Sequence, residues 1–159
     1  DFITLKELLN SSSFQWQDKF VYSAKSLKSL IDSSNEFPFE AESKYSDVFS
    51  KQGQMLLCYC KIKLEKGDYR KTEICISITD ENTKMNYGYT ASEASNFIVN
   101  SDSTVELFVN YFAGNNFNEI RNSSRLSCYI WNKGKSSFRI IDFKIKTIDY
   151  WNQKWNFWN

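Results

Sequence analysis

The chain has 159 residues, enough for one domain with a substantial hydrophobic core. Its 20 basic and 19 acidic residues give a net charge of +1, which disfavours nucleic-acid binding. The absence of histidine excludes Ser-His-Asp and Cys-His catalysis as well as histidine-ligated metals. No apolar run approaches the ~20 residues that a membrane-spanning helix needs.

The composition favours an all-β domain. Aromatic residues make up 17% of the chain, and with Ile, Val and Thr they suit a half-buried pleated surface. Residues 1–13 are predicted to form a short helix or arm, because their leucines have helical spacing. Strands are then predicted over 19–24, 27–31, 43–49, 54–64, 72–80, 84–90, 95–100, 104–112, 124–132 and 137–148. We therefore expect an antiparallel β-sandwich over 14–149 and an aromatic C-terminal tail over 150–159.

Alternating apolar and polar residues divide the long predicted strands into two faces. One face is expected to form the core between the two sheets. The predicted core positions are Leu56, Cys58, Cys60, Ile62, Leu64, Ile74, Ile76, Ile78, Val105, Leu107, Val109, Leu126, Cys128, Ile130, Ile141, Phe143 and Ile145.

The four cysteines lie within apolar strand-like runs, and none of them forms a CxxC pair. Metal sites usually need closer, loop-borne cysteine pairs. We therefore expect small buried apolar side chains, and a single inter-strand disulfide stays open as the alternative.

The opposite strand faces carry aromatic side chains interleaved with acids and amides. Sugars are bound by such surfaces, because an aromatic plane stacks on the apolar face of the ring and carboxylates or amides bind its hydroxyls. If the three C-terminal strands are neighbours, these residues share one surface; the alternative is that another segment covers it as additional core. The predicted ligand contacts are Trp131, Tyr129, Phe108, Glu106 and Asn110, beside Phe112 and Asp142.

The C-terminal tail contains Trp151, Trp155 and Trp158, which have the spacing of one helical face. An exposed stripe of this kind would be an interaction patch or a membrane-interface anchor. The other interpretation is that the tail folds back and covers an apolar sheet face.

Several segments give the sequence a family resemblance. They are Phe14-Gln15-Trp16, Tyr45-Ser46-Asp47-Val48-Phe49, Leu126-Ser127-Cys128-Tyr129-Ile130-Trp131-Asn132 and Ile140-Ile141-Asp142-Phe143-Lys144-Ile145. From about Phe14 to Ile148 the chain resembles galactose-binding-like jelly-roll domains, which are related to carbohydrate-binding modules. It also resembles the accessory jelly-roll domains at the C-terminal ends of bacterial surface and glycan-handling proteins.

The resemblance implies a non-catalytic accessory module in an extracellular or periplasmic location. It also implies a structural calcium between the first and last strands, for which Asp142 is the carried-over ligand. Ile141 and Gln15 stand where relatives have carboxylates, and losing two carboxylates weakens a hard-cation site. We therefore expect no tight calcium site and no other cofactor.

The leading hypothesis is a carbohydrate-binding module excised from a longer chain, because the sequence starts at Asp1 without a methionine or a signal segment. Its partners would be a glycan or the rest of the parent chain. The alternative is a structural or protein-interaction domain with no small ligand. An enzyme would need a carboxylate pair, such as Glu106 and Asp142, and nothing marks these acids as special.

Overall fold

The computed structural model of the chain describes residues 16–114, 117–120 and 123–149. These residues include two one-turn helices, α1 (Tyr45–Val48) and α2 (Phe117–Ile120), and 3₁₀ turns at Tyr69–Lys71 and Ala94–Asn96. None of the helices in these ranges is long and apolar enough to cross a membrane. The eight strands are β1 (Trp16–Ile31), β2 (Phe39–Lys44), β3 (Gln54–Lys66), β4 (Thr72–Asp80), β5 (Asn86–Glu93), β6 (Thr104–Phe112), β7 (Ser124–Asn132) and β8 (Ser137–Asp149).

The strands form two four-stranded sheets. Sheet A has the order β1-β8-β3-β6, sheet B has the order β2-β7-β4-β5, and all neighbouring strands are antiparallel. Among the connections, only β4 to β5 stays within one sheet, and the others cross between the sheets. This order is that of an eight-stranded jelly roll with Greek-key connections. The predicted all-β, antiparallel jelly-roll β-sandwich is confirmed.

The hydrophobic core lies between the sheets, at the positions that alternation predicts for most strands. Leu56, Cys58, Cys60 and Ile62 of β3 are fully buried. The apolar residues of β6 lie beside them in sheet A, and those of β4 and β7 face them from sheet B. All four cysteines are buried with free thiols, as expected of small apolar side chains. Side chains of this kind gain about 25 cal/mol for each Å² of apolar surface removed from water.

Several predicted strand boundaries are wrong. The predicted strands 19–24 and 27–31 are one strand, β1, because its pairing with β8 continues in regular register from Ala24 to Leu27, where the break was predicted. The predicted strand 43–49 is instead the end of β2 followed by α1, where Phe49 donates a backbone hydrogen bond to the Tyr45 carbonyl at 2.9 Å. The predicted strand 95–100 is a 3₁₀ turn and a loop with a single bridge, Val99 to Val105.

A β-bulge in β8 changes which isoleucine is buried. Lys61 pairs with Asp142, but the next residue of β3, Ile62, pairs with Ile140, so Ile141 is the extra residue. Ile140 is 1% exposed, whereas Ile141 is 40% exposed. The prediction that Ile141 belongs to the core is therefore wrong, and Ile140 takes its place.

The N-terminal arm predicted over 1–13 and the aromatic tail predicted over 150–159 lie outside the described residues, as does Gln15. These parts of the prediction are not tested.

Candidate functional site

The structure does not bring the five predicted ligand residues together. Tyr129 and Trp131 lie on β7, on the outer face of sheet B. Glu106, Phe108 and Asn110 lie on β6, on the outer face of sheet A. Although β6 and β7 follow each other in the chain, their connection crosses the sandwich. The single aromatic surface predicted from three neighbouring strands therefore does not form.

The predicted residues on sheet A engage other protein groups. Phe108 packs edge-on against Phe97, with 4.7 Å between the ring centroids. Glu106 forms an ion pair with Lys61, which lies on the strand between β6 and β8. Glu106 on β6 and Asp142 on β8 are therefore separated by β3, which carries Lys61.

The structure places Asp142, the predicted calcium ligand, beside two lysines. One of its carboxylate oxygens forms an ion pair with the ammonium group of Lys144, and its strand neighbour on β3 is Lys61. Its other oxygen, Oδ1, is buried without a hydrogen-bond partner. Calcium needs six to eight oxygen ligands, and the described residues include no cluster of three or more metal-ligating side chains. Adjacent lysines also repel a divalent cation.

The aromatic residues of sheet B form a compact cluster with Phe37, which precedes β2. Phe37 stacks on Trp131 with 5.8 Å between ring centroids, and it meets Tyr129 edge-on at 5.9 Å. The indole N–H of Trp131 donates a hydrogen bond to Glu36 at 3.0 Å, and the Lys133 ammonium lies 4.1 Å from the centre of a Trp131 ring. These contacts fix Trp131, whereas Phe37 is 52% exposed.

A polar network lies beside Tyr129, whose cross-strand partner on β4 is Cys75. Glu73 is only 5% exposed, and its carboxylate accepts a hydrogen bond from Lys133 at 2.5 Å and one from the Tyr89 hydroxyl at 3.4 Å. The Glu73 carboxylate holds the pKa of Lys133 above its ordinary value. The Tyr89 hydroxyl also contacts the Cys75 thiol at 3.5 Å, and burial raises the pKa of Cys75 to about 11. Cys75 is therefore a neutral thiol rather than a reactive thiolate at pH 7.

Burial likewise raises the pKa of Tyr129 above its ordinary value, and the nearby Cys75 and Glu40 act in the same direction. The Tyr129 phenol is therefore neutral across the physiological range. A neutral phenol both donates and accepts hydrogen bonds, so the residue offers a ring plane and a hydroxyl to a ligand.

A shallow cavity of about 420 Å³ lies beside this cluster. Phe37 and Tyr129 form its aromatic side, and Trp131 supports Phe37 from outside the cavity lining. Glu40 and Glu42 of β2 supply carboxylates. The remaining lining comes from Ser77, Thr79, Arg125 and Ser127. This combination of ring planes, hydroxyls and carboxylates is suited to a polyhydroxylated ligand.

A second cavity of about 350 Å³ adjoins the first, since both are lined by Thr79 and Arg125. It extends the site toward the turn after β4, with Asp80, Glu81 and Lys84 as its other lining residues. We call the two cavities together the groove. The groove crosses the outer face of sheet B from the aromatic cluster to this turn.

Arg125 connects the two halves of the groove. Its guanidinium donates to Glu42 at 2.6 Å and to Glu81 at 3.2 Å, and these carboxylates raise its pKa. Ser127 donates a further hydrogen bond to Glu42 at 3.4 Å. Through these ion pairs Arg125 links β7 to β2 and to the turn after β4.

Sequence reasoning identified Tyr129 and Trp131 but missed Phe37, Glu40 and Arg125. A signal for Glu40 was present in the sequence, where apolar and acidic residues alternate over 39–42. The structure follows this alternation: Phe39 and Ala41 are buried, while Glu40 and Glu42 are exposed. That period-two pattern predicts a strand over 39–42, ahead of the one expected at 43–49. Phe37 precedes the strand, and no periodicity places a loop residue over β7.

No protein-family model matches the sequence, and no curated protein sequence matches it. Among solved structures, the chain is similar to the xylan-binding domain CBM22-1 of Xyn10C from Paenibacillus barcinonensis. The two chains are 10% identical, and the match covers 87% of this chain and 99% of that domain with a TM-score of 0.44. Xylan binding is a property of that domain, and this identity transfers no site residue to the present chain.

Proposed function

We propose that this protein is a non-catalytic carbohydrate-binding module that holds a glycan in the groove on sheet B. The observation that carries the proposal is the position of Phe37 and Tyr129 beside hydroxyl and carboxylate groups in one cavity of about 420 Å³. An aromatic plane next to such groups binds a sugar through ring stacking and hydrogen bonds together.

The roles of the side chains follow from their contacts. Phe37 and Tyr129 present rings to the sugar, while Trp131 positions Phe37 by stacking beneath it. Ser127 and Ser77 supply hydroxyls to the cavity lining. Because stacking and a few hydrogen bonds supply roughly 4–8 kcal/mol, we expect dissociation constants from micromolar to millimolar.

The proposal includes an accessory role within a longer protein and a location outside the cytoplasm, either extracellular or periplasmic. A polymeric glycan is encountered there, and a weak, non-catalytic module contributes by keeping an attached protein close to it. Weak binding is then sufficient, because it raises the effective concentration of the attached protein at the glycan.

The test is binding of the purified chain to a panel of neutral, amine-bearing and acidic oligosaccharides, measured by titration calorimetry. We expect at least one saturable ligand whose affinity falls about tenfold or more in Phe37→Ala and in Tyr129→Ala, equivalent to about 1.4 kcal/mol. Trp131→Ala should also weaken binding, because Phe37 loses the ring against which it stacks.

The matched control is Phe112→Ala, which removes an aromatic side chain that is 42% exposed on β6 of sheet A. This variant should bind like the unmodified chain. All variants are first compared by thermal melting. A panel with no ligand, or equal losses in Phe112→Ala and Phe37→Ala, would contradict the proposal.

A further inference from the structure

The charges in the groove are not balanced. Its two cavities are lined by carboxylates at Glu40, Glu42, Asp80 and Glu81 but by only two cations, Lys84 and Arg125. The chain as a whole carries a net charge of +1, so this negative groove is a local feature. A local excess of one sign selects the charge of the ligand.

Arg125 is not available to an anionic ligand. Its guanidinium already donates to Glu42 at 2.6 Å and to Glu81 at 3.2 Å. A uronate or sulfate that bound Arg125 would displace one of these carboxylates and leave it without its charged partner. The groove therefore disfavours acidic glycans.

Glu40 differs from the other carboxylates in the groove. Glu42 and Glu81 are paired with Arg125, and Asp80 accepts hydrogen bonds from its own turn. Within the described ranges, Glu40 has no ion-pair partner. Its side chain is exposed and lines the cavity together with Phe37 and Tyr129.

The register of the strands places Glu40 next to the aromatic side of the groove. Glu40 is the direct cross-strand partner of Tyr129. The Cβ atoms of such partners are about 4.5–5.5 Å apart, so a sugar stacked on Tyr129 lies within reach of the Glu40 carboxylate. A cationic substituent on that sugar would meet both a carboxylate and aromatic faces, and both attract cations.

We propose that the groove is specific for glycans with free amino groups, with the ammonium group paired to Glu40 while Phe37 and Tyr129 contact the same sugar unit. This inference rests on the proposed carbohydrate-binding function and names its ligand class. Glu40 is the specificity residue, and the rings supply the binding shared by all sugars.

The test compares three β-1,4-linked oligosaccharides of equal length, built from glucose, glucosamine or N-acetylglucosamine. They differ only in the substituent at C2. Titrations are made at a pH at which the glucosamine amine is protonated, using the complete chain. We expect the glucosamine oligomer to bind at least tenfold more tightly than the other two, and this preference should weaken at high salt.

Glu40→Gln should remove the preference for the amine, so that the three oligomers bind the variant with similar affinities. The control variant is Glu65→Gln, which makes the same charge change at the β3 end of sheet A, where Glu65 pairs with Arg139 at 2.9 Å. This variant should keep the full preference for the amine.

Equal affinities for the three oligomers, or an amine preference that persists in Glu40→Gln, would overturn the inference and leave the proposed function standing. If none of the three oligomers bound, the inference would also be wrong. The proposed function would then be tested separately, by whether any other glycan of the broader panel binds in the groove.

Discussion

Asp80 shows how single residues hold the rim of the groove in place. One carboxylate oxygen accepts hydrogen bonds from the backbone N–H groups of Asn82 and Thr83, at 2.8 and 2.7 Å. The other oxygen accepts a hydrogen bond from the Ser123 hydroxyl at 2.5 Å. Led by the Ser123 hydrogen bond, these contacts lower the pKa of Asp80 from 3.8 to about 2. The ionised carboxylate thereby links the turn after β4 to the start of β7.

Because the folded-state pKa of Asp80 lies below its unfolded value, the carboxylate stabilises the fold fully above about pH 4. This stabilisation is lost as the pH falls toward 2. We expect Asp80→Asn to melt a few degrees below the unmodified chain at pH 7, and the difference should shrink toward zero near pH 2. Thermal melting between pH 2 and 7 measures this.

The control for that experiment is Asp47→Asn, at an exposed carboxylate on α1. It should change the melting temperature little at any pH. A difference between Asp80→Asn and the unmodified chain that stays constant down to pH 2 would contradict the role given to the carboxylate.

At the scale of the elements, alternation predicted the interior strands well and failed where the backbone departs from regular pairing. The burial of β6 and of most of β3 and β7 follows period two, because each of these strands has one face on the core. In β4 the outward-facing Glu73 and Cys75 are buried as well, so the first half of this strand is buried on both faces. The bulge in β8 and the turn of α1 are set by register and by packing at the end of the sandwich. Neither leaves a local signal in the composition of its segment.

The bulge gives a sharp test of register. Ile140→Thr should cost about 2 kcal/mol of unfolding free energy, because it buries a hydroxyl and removes packed atoms at a position that is 1% exposed. Ile141→Thr should change it by no more than about 0.5 kcal/mol, since that side chain is 40% exposed. Urea denaturation measures both values. Equal losses, or a larger loss for Ile141→Thr, would contradict the bulged register.

At the scale of the whole molecule, the jelly-roll connections decide which residues can share a site. Composition and strand spacing predicted the sandwich, because they report what each strand buries. They did not predict that consecutive strands would change sheets, and this change separates Phe108 from Tyr129. The sequence therefore predicted the β7 residues of the site, Tyr129 and Trp131. It did not predict Phe37 and Glu40, because their place in the site depends on the pairing of β2 with β7.

The two outer faces also differ in character as a result. On the central strands of sheet A, Lys61 and Lys144 are paired with Glu106 and Asp142, and Lys63 and Lys146 add further positive charge. In the groove on sheet B, carboxylates outnumber cations. Among the described side chains, sheet A is thus the more basic side and the groove on sheet B the more acidic one. Within the part of the chain that the structure describes, the acidic side combines its charges with a cavity lined by aromatic rings.

The most direct test of the account is an amide chemical-shift map of the isotopically labelled chain during titration with the best oligosaccharide from the panel. We predict that the shifted signals cluster on sheet B, at residues 37–42 of the β2 region and 125–131 of β7. Signals from Phe108, Asn110 and Phe112 on sheet A should stay in place. Shifts concentrated on β6, or no shifts with any oligosaccharide, would contradict a carbohydrate site in the groove.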